Sequence, residues 1–116
     1  VDTQDKKADK GKPIVINGVL LKFPRAMIEV AKASEIGLIK YDVPLDDRNY
    51  QGSSYLRYLD PIGRHLIGHT FDPVNIEKGG KLPPEGVKVL HLAQAAWCAL
   101  AALENYLIEQ EKNVNP

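Results

Sequence analysis

Residues 92–103 (LAQAAWCALAAL) are apolar but for Gln94 and rich in alanine. They sit within a pattern that predicts one long helix over residues 87–111, roughly 36 Å from end to end. A helix that is apolar on nearly every side is buried all round, and small side chains let neighbouring helices approach closely. The chain has 116 residues, enough for one domain and no second core. Two other helices of so small a domain do not easily surround the long one, so a homo-oligomer centred on it is expected. The run is well short of the ~20 residues that span a bilayer, and no membrane association is expected.

Charge is balanced, with 15 Lys and Arg against 15 Asp and Glu. That argues against direct nucleic-acid binding by phosphate neutralisation. The lone Cys98 excludes an internal disulfide framework, fits a reducing compartment, and reads as a small packing residue of the long helix. Residues 1–12 are charged rather than apolar, so no secretory signal opens the chain and a cytoplasmic protein is expected. Such a stretch cannot offset its ordering entropy alone. It is expected to be a flexible charged tail, with residues 13–116 forming a single helical domain.

Ile14-Val15-Ile16 and Val19-Leu20-Leu21 flank Asn17-Gly18, the strongest short-range hairpin signal, because both turn positions accept φ > 0. A small N-terminal β-hairpin is predicted, lying on another element because a lone hairpin is marginal in water. Pro24 suits a first helical turn, and residues 25–40 read as helix. Ile28, Ala31, Glu35, Leu38 and Ile39 form one stripe along it. Residues 42–53 carry turn chemistry. A second helical region covers residues 54–71, where either Asp60 caps a new helix with Pro61 in its first position, or the helix kinks at Pro61. Residues 72–86, with three Pro and three Gly, read as a loop. The expected fold is mainly α: a three-helix core with a small N-terminal β-hairpin, and a long C-terminal Ala-rich helix buried in a homo-oligomer.

His65 and His69 lie four apart on one helix face, with Asp72 near the next turn, a spacing that suits a divalent metal. It equally suits a polar face near a helix C-terminus, where imidazolium is favoured. Glu35 falls inside an apolar stripe, so it either finds a cation or metal partner or reaches solvent at the stripe's edge. Glu29 and Lys40 share a different face. Arg57 and Arg64, seven apart, suit phosphate or surface carboxylates. The sequence contains no Walker-type glycine loop, dinucleotide fingerprint, paired CxxC or nucleophile elbow.

The order of short motifs resembles a known family. Asp9-Lys10-Gly11-Lys12-Pro13 is similar to its D-x-G-K-P opening. Glu29-Val30-Ala31 followed by Ile36-Gly37-Leu38-Ile39-Lys40-Tyr41 resembles its E-V-A…F-G-A-K-K-Y helix. Asn49-Tyr50 stands in the place of its N-W pair, and Tyr58-Leu59-Asp60…Arg64-His65-Leu66 resembles Y-L-D-A-L-L-R-H-L. His91-Leu92-Ala93-Gln94-Ala95-Ala96-Trp97-Cys98-Ala99-Leu100 resembles H-L-A-H-A-A-x-N-A-L. The family is the bacteriophage dATP/dGTP diphosphohydrolase N-terminal domain, and the resemblance spans about residues 9–107.

The resemblance implies metal-dependent hydrolysis of purine deoxynucleoside triphosphates to monophosphate and pyrophosphate. That activity remodels the phage nucleotide pool in the host cytoplasm, with Mg²⁺ or Mn²⁺ as cofactor. It further implies catalytic roles for Glu35, Asp60, His65 and Glu29, and metal ligation by Glu35, His65 and His91. Lys12, Lys40, Asn49 and Arg64 would bind substrate. Gln94 stands where the family has the second histidine of H-x-x-H, and Cys98 where it has asparagine. An amide is a poor metal ligand and a thiol does not replace an amide. Two alternatives therefore accompany the enzyme: a non-catalytic nucleotide-binding or sequestering protein, and a structural helical oligomerisation module.

Overall fold

Proline lacks the N–H that a first helical turn leaves unpaired, and Pro24 opens the first helix on that basis. The computed structural model describes residues 11–48 and 50–114, and α1 runs Pro24–Tyr41. It ends in a left-handed turn at Asp42, φ 54°. The N–H groups of Asp42 and Val43 close on the Ile39 and Leu38 carbonyls at 3.1 Å each. Its small inward face, Val30 with Ala33, Ser34 and Gly37, lies toward the long helix. Most of the stripe marked by helical spacing faces outward: Ile28 and Ile39 are 60% and 47% exposed, Ala31 and Glu35 are exposed too, and only Leu38 is half-buried.

A 3₁₀ turn, Tyr55–Tyr58, leads into α2, Leu59–Phe71. Ser54 caps the turn, its Oγ accepting from the Leu56 N–H at 3.3 Å. Asp60 therefore lies in the first turn of α2, where a carboxylate favours the dipole, rather than at its cap, and Pro61 is the helix's third residue. Asp72 Oδ1 then accepts from the Val74 N–H at 3.0 Å, turning the chain into β1, Val74–Glu77.

The hairpin is real but lies elsewhere than expected. β1 pairs antiparallel with β2, Val87–Leu90, in the register Val74↔Leu90, Asn75↔Val89, Ile76↔Lys88, Glu77↔Val87. The predicted loop over residues 72–86 thus contains a strand, and the long helix α3, His91–Val114, starts four residues later than expected. At the N-terminus, Ile16–Leu20 winds into a π-helical turn instead of a hairpin. Ile14 to Leu21 carry large side chains 44–62% exposed, so no surface receives a sheet there. Local bonds such as Leu21 N–H to Ile16 C=O at 2.7 Å satisfy the backbone instead.

Buried residues are few and small: Val30, Leu82, Val89, Ala93, Ala95, Ala101 and Ala102, with Asn105 the most enclosed side chain. Within one chain α3 is not buried all round; Leu92, Leu100, Leu103 and Leu107 are 48–55% exposed. Only its alanine face is covered, by α1, α2 and the 3₁₀ turn. No helix among the described residues is long and apolar enough to cross a membrane. The expected tail, apart from Gly11 and Lys12, lies outside the described residues.

Candidate functional site

Successive strand residues point to opposite faces, so Asn75 and Glu77 share the covered face of β1. The C-terminal end of α1 meets them there. Gly80, φ +54°, allows this approach: a Cβ would run into the Lys40 carbonyl oxygen, which instead accepts from the Lys81 N–H at 3.0 Å. Lys40 Nζ then donates to Glu77 Oε1 at 2.8 Å, the two side chains being 22% and 23% exposed. Gln94, in the first turn of α3, donates from Nε2 to Glu77 Oε2 at 2.8 Å. Asn75 Nδ2 donates to Gln94 Oε1 at 2.8 Å and to Glu77 Oε2 at 3.3 Å.

The electrostatics follow from those bonds. Burial pushes the Glu77 carboxyl up, but the hydrogen bonds from Lys40 and Gln94 and the Lys40 charge outweigh it and hold it below its ordinary range. Its hydrogen bond with Glu77 raises Lys40, against the opposing effect of burial. The pair is fully ionised at neutral pH, and each Glu77 oxygen has a donor.

Two imidazoles adjoin this pair. His65 Nδ1 on α2 and His91 Nδ1 on α3 are 3.0 Å apart, so one carries the proton and the other accepts. Burial and then the neighbouring His91 lower the His65 pKa; Glu77 opposes them and Arg64 adds to them. The balance favours the neutral form of His65. Gly68, less than one turn beyond His65, leaves the space the His91 ring fills. His69 Nδ1 is buried without a hydrogen-bond partner among the described residues.

The family described as dATP/dGTP diphosphohydrolase, N-terminal, matches residues 2–115. The chain belongs to that family. It matches no curated protein and no solved structure. In this chain, Lys40, Asn75, Glu77, Gln94, His65 and His91 form one cluster from α1, β1, α2 and α3. Three of them, Lys40, His65 and His91, were expected at the site from the sequence.

The other expected residues lie outside it. Glu29 pairs with Lys32 at 3.0 Å on the outer surface of α1. Glu35 is exposed on the outward face of α1, and Asp60 on the first turn of α2. Arg64 is exposed, close enough to act on both His65 and Cys98. Lys12 is exposed ahead of the π-helical turn, and Asn49 lies outside the described residues. The Cys98 thiol is pushed up by burial, against Arg64, as suits a packing residue.

Among the described residues no group of three His, Cys, Asp or Glu side chains can hold a metal ion. Glu35 does not join His65 and His91 within one chain, and Glu77 is engaged by Lys40. A resident protein-only cage does not fit these donors. The sequence reading passed over Asn75 and Glu77, and treated Gln94 only as a departure from the family. The signal for the first two was the alternation Val74-Asn75-Ile76-Glu77, apolar and polar by turns, followed by the β-branched Val87 and Val89.

Proposed function

We propose that this protein hydrolyses purine deoxynucleoside triphosphates, dGTP and dATP, to monophosphate and pyrophosphate. The observation that carries this is the convergence of a lysine, a carboxylate and a neutral imidazole from three separate segments, in a chain matched by the family over residues 2–115. Water attacks a phosphoryl group, the bridge between the α- and β-phosphates breaks, and pyrophosphate leaves. His65 takes the proton of the attacking water, with His91 orienting its ring. Lys40 and Arg64 hold phosphate oxygens, and Lys12 adds a further positive charge. Mg²⁺ or Mn²⁺ belongs to the substrate, since such ions are commonly bound through one or two carboxylates plus phosphates rather than by a protein cage. Glu35 and Asp60, exposed outside the cluster, are the carboxylates that would reach such a complex, and Glu29 would join them only by leaving Lys32.

The assembled form is a homo-oligomer. The outward face of α1 and the start of α3 carry Ile28, Ile39 and Leu92 at 47–60% exposure, apolar surface that a second copy of the chain would cover. Glu35, set between Ile28 and Ile39, then faces a neighbouring subunit. The pool being remodelled is that of a phage-infected cell's cytoplasm.

Incubation with each dNTP and Mg²⁺, followed by chromatography, tests the reaction. Equimolar deoxynucleoside monophosphate and pyrophosphate are expected from dGTP and dATP, and turnover persisting in excess EDTA overturns the metal requirement. A second reading, a nucleotide-sequestering protein, is favoured by one feature: Gln94 occupies a Glu77 oxygen that a substrate complex would need. Tight binding with recovery of unchanged dNTP distinguishes it.

A further inference from the structure

Just beyond the polar cluster, α1 and α3 open into a groove of about 960 Å³, closed on one side by part of residues 43–58. That volume lies within the range of small-molecule sites. Gly37 on α1 and Trp97 on α3 line it. Each is three residues, roughly 4.5 Å of helix, from a cluster residue, Lys40 and Gln94 respectively. On α1 that step runs back along the chain and on α3 it runs forward, so the groove leads directly away from the proposed phosphate end.

Trp97 is the chain's single tryptophan. Tyr50 and Tyr58 meet it edge-on, with ring centroids at 5.8 and 6.1 Å and both interplanar angles 67°. All three rings line the groove. The segment carrying Tyr50 is held by Asn105, whose Oδ1 accepts from the Gly52 N–H at 2.8 Å and whose Nδ2 donates to the Ala101 carbonyl at 2.9 Å. An aromatic wall of this kind stacks any base, so discrimination falls to polar groups at the rim.

Arg57 and Glu104 line the same groove. Neither side chain takes part in an ion pair among the described residues. Guanine presents O6 and N7 as acceptors to a guanidinium, and its N1–H and amino group as donors to a carboxylate. Adenine offers an amino donor where guanine has O6, and an acceptor where guanine has N1–H. A cation and a carboxylate together therefore match guanine and mismatch adenine.

We infer that this groove is the base subsite and that it selects guanine: Trp97 stacks the purine while Tyr50 and Tyr58 hold the indole edge-on, Glu104 accepts from N1–H and the amino group, and Arg57 donates to O6 and N7. The inference rests on the nucleotide reading above and names its preferred substrate. Asn105 is a positioning residue, acting through the segment that bears Tyr50.

Trp97 emission provides the test. Titration of the chain with dGMP should quench it saturably, and dAMP should need at least about tenfold more ligand. Glu104→Gln should bring the two within about threefold, and Arg57→Lys, which loses the bidentate fork, should shift the ratio the same way. Both positions are exposed, and circular dichroism checks that each variant is folded. Equal quenching by dGMP and dAMP, or a preference unchanged in Glu104→Gln, overturns the inference. Turnover of dGTP with unaltered Trp97 emission also overturns it, while leaving the hydrolase reading intact. Absence of both binding and turnover for every deoxynucleotide removes the hydrolase reading, and the subsite with it.

Discussion

Gly68→Ala is expected to destabilise the protein, although alanine is the better helix former. Gly68 lies inside α2, where the change to alanine gains about 1 kcal/mol of helix stability. A Cβ there would stand 2.7 Å from His91 Cε1 and 2.8 Å from its Nε2, closer than such atoms approach, so the imidazole has to turn. Turning it gives up the 3.0 Å contact with His65, worth about 1 kcal/mol, and overpacking adds about 1–3 kcal/mol. The balance is a loss of roughly 1–3 kcal/mol. Urea denaturation followed by circular dichroism measures it, at one fixed protein concentration because assembly makes midpoints concentration-dependent. In a His91→Ala background the obstruction is gone, and Gly68→Ala should stabilise by about 0.5–1 kcal/mol. The two sites should therefore couple by at least about 1.5 kcal/mol. A single Gly68→Ala variant more stable than the parent, or coupling near zero, would refute the assignment of Gly68 as the space for His91.

The Glu77 carboxyl, held below its ordinary 4.5, contributes stability that is present above that value and lost as pH falls through the lowered one. His65, lowered from 6.5, adds a contribution that is complete above 6.5 and declines below it. Urea midpoints should therefore fall from pH 7 to pH 4, and Glu77→Gln should flatten the more acidic part of that decline. Lys40, raised above 10.5, loses its contribution only as pH rises through the raised value. Asn105→Ala removes two hydrogen bonds, one buried and one part-buried, and should cost about 2 kcal/mol, measured by denaturation, with increased hydrogen exchange at Gly52. Melting temperature should rise with protein concentration if the exposed α1 and α3 faces bury against another copy. Ile28→Asp should then lower the mass seen by light scattering, and an unchanged mass would place the interface elsewhere.

Helix identity was readable where local chemistry and burial agree. Pro24 opens α1 and the alanine-rich run forms α3, because a proline without N–H and a close-packing small-residue face each demand one arrangement. Position around the axis was not readable on α1. The residues that enter are the small Ala33, Ser34 and Gly37, while larger Ile28 and Ile39 point out, so apolar spacing alone selected the wrong face. The Asn17-Gly18 pair failed as a hairpin signal for a related reason. Turn propensity is local, whereas a sheet needs a surface beneath it, and Ile14 to Leu21 have none. The strand pair formed instead where Pro, Gly and charge suggested a loop, and its connection is seated on α1 by the long-range approach of Gly80 and Lys81 to the Lys40 carbonyl. That long-range approach also explains the divided outcome at the site. His65, His91 and Lys40 are visible as residue types on predicted helices. Glu77 becomes a site residue only when β1 forms and brings it against α1, so its role resides in a tertiary contact that no window of the sequence contains. Glu35 is the converse case: its place among apolar residues is evident in the sequence, yet one chain leaves it facing outward, and only a neighbouring surface can complete its environment.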